Sequence, residues 1–174
     1  RGPLSDECIE IFKCLWTQDD PVFDGAYYSF DGIQFYPKPI QKPHIPIWVG
    51  GHTKRAIRRT VRYGNAWHPA RQTPEYVGGL LPYLNQLALE MNRDPDDITV
   101  SLKRTLHFTD IGICVGDVVR TGGAVIGSTK DVVEDIKRCE DIGINQLTYD
   151  FLTDDIDESV AIIDHFANTI VPKI

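Results

Sequence analysis

The chain has 174 residues, enough for one sizeable core, and its 42% hydrophobic and 25% charged residues fall near globular averages, so a single domain over residues 1–174 is expected. A formal charge of −7 argues against a nucleic-acid binder, whose surface would carry the opposite sign. No apolar run approaches the roughly 18–20 residues that span a bilayer, so no membrane partner is expected. Four scattered cysteines (Cys8, Cys14, Cys114, Cys139) show no CxxC pair and no metal-like spacing, which fits reduced thiols in a cytoplasmic protein.

Arg1 is not an initiating Met, and the only Met is Met91, as expected either of a trimmed terminus or of a chain that begins mid-fold. Ser5 has the character of an N-cap, and Cys8, Ile9, Phe12, Leu15 and Trp16 then recur at helical spacing, predicting one buried face. Asp20-Pro21 ends that helix. Residues 22–36 change period: Val22-Phe23, Tyr27-Tyr28-Ser29-Phe30 and Ile33-Gln34-Phe35-Tyr36 are strand-like and separated by Asp24-Gly25 and Asp31-Gly32, a hairpin signal. Pro37, Pro39 and Pro43 predict an extended strap.

From residue 45 onward, short apolar runs alternate with helical patterns. Strands are expected at 45–49, 66–68, 98–102 and 146–150, adjacent and parallel, with short additional strands near 111–116 and 124–126. A helix over 53–63 stops at Gly64. Thr73-Pro74-Glu75 opens the next helix, in which Pro82 predicts a kink. Ser128-Thr129-Lys130-Asp131 resembles a capping box, opening a helix that ends at Gly143. A last helix buries Ile156, Val160, Ile163, Phe166 and Ile170. Four βα units imply a parallel sheet, about half of the roughly 250 residues of a closed eight-strand barrel.

The strongest local site signal is Trp48-Val49-Gly50-Gly51-His52-Thr53, a strand ending in two glycines and running into a helix rich in Lys and Arg. Glycines allow close backbone approach, and the free N–H groups of a first helical turn favour anions, so Val49, Gly50, Gly51, His52 and Thr53 are the candidate cofactor contacts. A tight βα turn beside a solvated basic face is the competing reading. Trp67, His68 and Arg104 follow or close predicted strands, where α/β barrels place their sites, and are the candidate substrate contacts. A packing role for Trp67 and His68, and an ion pair for Arg104, stand as the alternatives. The sequence holds no Ser-His-Asp arrangement, no HExxH and no Walker loop.

Several runs, in order, resemble the luciferase-like monooxygenases. They are Glu7 to Trp16, Phe23-Asp24-Gly25 with Tyr27-Tyr28, Tyr36-Pro37-Lys38-Pro39-Ile40-Gln41, Pro46 to Gly51, Arg62 to Trp67, Gly127-Ser128 and Gly143 to Leu147. Within that superfamily the chain is most similar to the deazaflavin (F420)-dependent oxidoreductases. The resemblance implies an α/β fold that is the C-terminal half of a TIM (β/α)8 barrel, bacterial-luciferase-like, with a short β-hairpin insertion over residues 22–36. Helix four and strands five to eight are present, and Arg1 falls just after strand four.

It further implies a flavin- or F420-dependent oxidoreductase or monooxygenase acting on a small organic substrate, with F420 or FMN as cofactor and a homodimeric assembly. Gly50, Gly51 and His52 end strand five beside the ring or phosphate-bearing tail, and His52 stands where the family often has a small residue. Trp67 and His68 close strand six. Strands one to four, which usually supply the catalytic acid or base, are missing, so this chain alone is expected to be inactive. Two alternatives stand: a non-catalytic half-barrel binding or scaffolding module that self-associates, and an unrelated phosphate-handling α/β enzyme.

Overall fold

A computed structural model of the chain describes residues 2–112, 122–151, 153 and 155–174. Helix α1 (Gly2–Thr17) starts before the expected Ser5 cap, with Pro3 in its first turn, where a missing N–H costs nothing. Its apolar stripe is not buried as one face. Phe12 is 48% exposed and stacks on Trp16 at 5.6 Å, while Glu7 and Cys14 are the buried positions.

Glu7 explains what the hairpin is built around. Strands β1 (Phe23–Asp24) and β2 (Ser29–Phe30) pair antiparallel, and the turn between them wraps its backbone N–H groups around the Glu7 carboxylate. Oε2 accepts from Ala26 at 2.9 Å and Oε1 from Tyr28 at 2.7 Å, with Tyr27 donating to both oxygens. The expected third run at Ile33–Tyr36 pairs with no strand among the described residues. The proline strap follows, tethered where Lys38 Nζ donates to the Leu15 carbonyl at 2.8 Å.

The expected parallel sheet is present. Strand β3 (Trp48–Gly50) is followed by α2 (Lys54–Tyr63), β4 (Ala66–His68), α3 (Pro74–Gly78), α4 (Leu81–Glu90) and a long β5 (Thr99–Phe108). Then come β6 (Val125–Gly127), α5 (Thr129–Ile142), β7 (Gln146–Asp150) and α6 (Ile156–His165), extended by irregular helical turns through Lys173. Strand β3 begins three residues later than expected because Pro46 has no N–H for the ladder. The single helix expected after Thr73 is two helices, with the break before Leu81 and Pro82 in the first turn of α4. Most of the run 111–116 lies outside the described residues.

Caps act where the sequence placed them. Thr53 and Thr73 accept N–H groups at the starts of α2 and α3, and Ser128 with Asp131 forms a complete capping box on α5. Gly143 ends α5 at φ +97, the left-handed conformation that glycine adopts without steric cost. Gly64 ends α2 for another reason: its φ is −97, and an added Cβ would lie 2.9 Å from Val49 Cγ2.

Pairing runs β3–β4–β5–β7, every pair parallel, with β6 alongside residues 106–108 of β5. The main strands thus pair in chain order, and crossovers that always step the same way leave all the helices on one face. Ile57, Val61, Val77, Leu84, Ala88 and Cys139 of those helices pack on Trp67, Val100 and Leu102, and a second cluster joins Leu106 and Phe108 to Val132 and Ile162. The opposite face is polar. Strand alternation puts His68, Ser101, Lys103, Thr105, His107, Thr148 and Asp150 there. No helix among the described residues is long and apolar enough to cross a membrane.

Candidate functional site

The Gly50–Thr53 turn is a constrained loop at the end of β3, beside that polar face. Gly51 sits at φ +110, a conformation L side chains rarely adopt, and a Cβ there would come within 3.2 Å of Ala56 Cβ. Gly50 has ordinary backbone, and an added Cβ would meet nothing within 4 Å. It opens a space rather than filling one. Two aromatic donors hold the turn: Trp67 Nε1 donates to the Gly51 carbonyl at 2.7 Å, and the Tyr76 hydroxyl donates to the His52 carbonyl at 3.0 Å. Thr53 caps α2, whose exposed Lys54, Arg55, Arg58 and Arg62 are accompanied by no acidic residue on the helix. Lys54 lies over the Tyr83 ring and Arg58 donates to the Tyr83 hydroxyl at 2.9 Å, so these side chains lean toward α4, and it is the positive end of the α2 dipole that the turn leads into.

Beside the turn, Gly50 stands in register with His68. His68 Nδ1 lies 2.9 Å from Ser101 Oγ, and its ring packs at 5.5 Å from the Trp48 ring, which is 42% exposed. Burial, and then the nearby Lys103 charge, pull the His68 pKa below the usual imidazole value, favouring the neutral ring. Further along β5 and β7, toward their C-terminal ends, Lys103 Nζ pairs with Asp150 at 3.0 Å. Beyond it His107 is buried, and its Nε2 has no hydrogen-bond partner among the described residues.

The structure brings Gly50, Gly51, His52, Thr53 and His68 together and sets three other candidates apart. The Val49 side chain is buried among the helices, so that residue offers the site only backbone. Trp67 is corrected from a substrate contact to a core residue: it is fully buried, and adjacent residues in a strand point to opposite faces, so Trp67 and His68 cannot both face a ligand. Trp48 holds the exposed position instead. Arg104 is corrected likewise. It lies mid-strand on the helix-facing side, 4% exposed, paired with Asp135 of α5 and donating from Nε to the Gly123 carbonyl at 2.5 Å. Ser101 and Tyr76 escaped the sequence reading because their contacts join segments 33 and 24 residues apart.

Residues 1–111 match the family profile of the luciferase-like monooxygenases. The chain belongs to that family. Among similar sequences, an uncharacterized protein of Mycobacterium tuberculosis is 36% identical over 93 residues, 53% of this chain and 31% of that protein. The FMNH(2)-dependent dimethylsulfone monooxygenase of Pseudomonas putida is 42% identical over 68 residues, 39% of this chain and 18% of that protein. The F420-dependent glucose-6-phosphate dehydrogenase of Microbacterium testaceum is 28% identical over 104 residues, 59% and 30% respectively.

Among solved structures, an F420-dependent secondary alcohol dehydrogenase in complex with an F420-acetone adduct superposes with a TM-score of 0.76 at 17% identity, covering 99% of this chain and 61% of that one. The long-chain alkane monooxygenase LadA also gives 0.76, at 13% identity, covering 99% and 55%. At such identities the likeness shows the fold, and the fold is a partial luciferase-like barrel. The matches span about a third or less of these three relatives' length.

Proposed function

We propose that this chain forms the C-terminal half of a flavin- or F420-dependent oxidoreductase or monooxygenase acting on a small organic substrate, and that its Gly50–Thr53 turn holds an anionic part of the cofactor. The observation that carries this reading is the pair of glycines. Gly51 gives the backbone its positive φ, and Gly50 leaves empty space beside a basic helix start. Residues and group fit: the His52 and Thr53 N–H groups suit an oxyanion, and the exposed Trp48 ring beside His68, whose pKa burial lowers, suits a planar ring or a substrate.

When bound, FMN or F420 supplies the redox chemistry. The residues of this chain orient it, and His68, its Nδ1 engaged with Ser101, presents Nε2 as a hydrogen-bonding group toward the substrate side. That His68, Trp48 and Gly50 share one face of the sheet supports an enzyme site over a scaffolding module. Strands β3 and β7, each paired on one side only among the described residues, support completion of the barrel by further strands.

Gly50→Ala in the full-length protein is the direct test. The backbone tolerates alanine and the methyl meets no protein atom, so stability should change by less than about 0.5 kcal/mol. A methyl intruding on bound ligand should cost about 1–3 kcal/mol, roughly five- to 150-fold in FMN or F420 affinity by fluorescence titration. Unchanged affinity for both cofactors would remove this turn from the site.

A further inference from the structure

We infer that Trp67 and Tyr76 are positioning residues that orient the Gly51–Thr53 backbone so that its N–H groups, rather than its carbonyl oxygens, meet the oxyanion of a bound cofactor. This rests on the reading of the turn given above and adds to it the two side chains on which its anion preference depends.

A trans peptide carries its C=O and the following N–H in opposite directions. The Gly51 carbonyl accepts from Trp67 Nε1 at 2.7 Å, so the His52 N–H points away from the buried indole. The His52 carbonyl accepts from the Tyr76 hydroxyl at 3.0 Å, so the Thr53 N–H points away from α3. Both tethers grip consecutive peptides, and they come from two different elements, β4 and α3.

A tether matters here because of glycine. A Gly-Gly turn tolerates several φ/ψ combinations, and rotation of the Gly51–His52 peptide would exchange N–H for C=O at little steric cost. A carbonyl oxygen facing an oxyanion repels it, whereas an N–H attracts it. The two aromatic donors remove that alternative before any ligand arrives, which is how preorganisation contributes to affinity. Trp67 is the stiffer of the two. Its ring is fully buried among Ile57, Val61 and Val77, and it cannot follow a moving carbonyl. Tyr76 is 44% exposed, its ring edge-on to His52 at 6.2 Å, and it makes the weaker clamp.

The experiment uses the full-length protein and two ligand pairs that differ in phosphate: FMN against riboflavin, and F420 against its phosphate-free riboflavin-like core. Trp67→Phe keeps an aromatic ring and deletes the indole N–H, and Tyr76→Phe deletes only the hydroxyl. The wild type should bind the phosphate-bearing member of the pair it uses more tightly. Trp67→Phe should shrink that preference by about five- to tenfold and Tyr76→Phe by about two- to fourfold, with the phosphate-free ligand bound as before.

A merely structural role would weaken both members of a pair equally, and that result would overturn the proposal. Because the Tyr76 hydroxyl is near the surface, Tyr76→Phe serves if Trp67→Phe fails to fold. A wild-type preference near one for both pairs would instead refute the anion-binding turn itself. A strong wild-type preference left intact by both variants would refute the tethers alone.

Discussion

Replacing Asp135 with asparagine should destabilise this fold more than removing the arginine it pairs with. Arg104 and Asp135 are 4% and 8% exposed, between β5 and α5. Arg104 Nη1 donates to Asp135 Oδ2, and the same carboxylate accepts at Oδ1 from Arg138 Nη2 at 2.5 Å. The partners are therefore not equivalent: Asp135 has two guanidinium groups, and Arg104 has one carboxylate. Asp135→Asn strands a buried cation, and breaking a buried pair in this way costs about 3–5 kcal/mol.

Arg104→Met leaves Asp135 paired with Arg138, which is 54% exposed, so the cost should be nearer 1–2 kcal/mol, about one lost charge-assisted hydrogen bond. The double variant Arg104→Met with Asp135→Leu removes both charges and should lie within about 1 kcal/mol of the wild type. Urea denaturation of the three variants in the full-length protein measures all of this. An Asp135→Asn cost no greater than that of Arg104→Met would show that the two partners are equivalent after all. Should Arg104→Met abolish substrate binding while leaving stability untouched, its assignment to the core would fall with it.

Glu7→Gln should loosen the hairpin by about 2–4 kcal/mol, because an amide nitrogen then faces backbone donors that the carboxylate accepted. Hydrogen exchange at Ala26, Tyr27 and Tyr28 should quicken while the β5 amides hold, and equal protection in both proteins would disprove the cradle. Folded His68 resists protonation through burial and Lys103, so the unfolded chain takes up its proton first as pH falls. Stability should therefore decline from about pH 7 toward the lowered His68 value, and His68→Gln should flatten that part of the profile. An imidazole that titrates above its ordinary value by NMR would reverse the sign, and one that titrates at that value would abolish the effect.

Much of the element order was legible locally. Thr53, Thr73 and the Ser128–Asp131 box mark helix starts because a cap bonds to N–H groups only two or three residues away. The Asp24-Gly25 hairpin and the Gly50-Gly51 turn are likewise written in adjacent residues, as is the alternation that makes the sheet parallel. The family resemblance extended this to the barrel.

Tertiary structure alone decided the faces. A strand read as ending at residue 102 leaves Arg104 beyond its end, near the mouth of a site; β5 in fact runs to Phe108, and two-residue alternation turns Arg104 toward α5. The same alternation separates Trp67 from His68 and exposes Trp48. Glu7 inside the hairpin turn, Ser101 on His68 and Tyr76 on His52 join residues 19 or more positions apart. Such contacts depend on register and packing between elements, which no local window of sequence contains, whereas caps and turns close their hydrogen bonds within it.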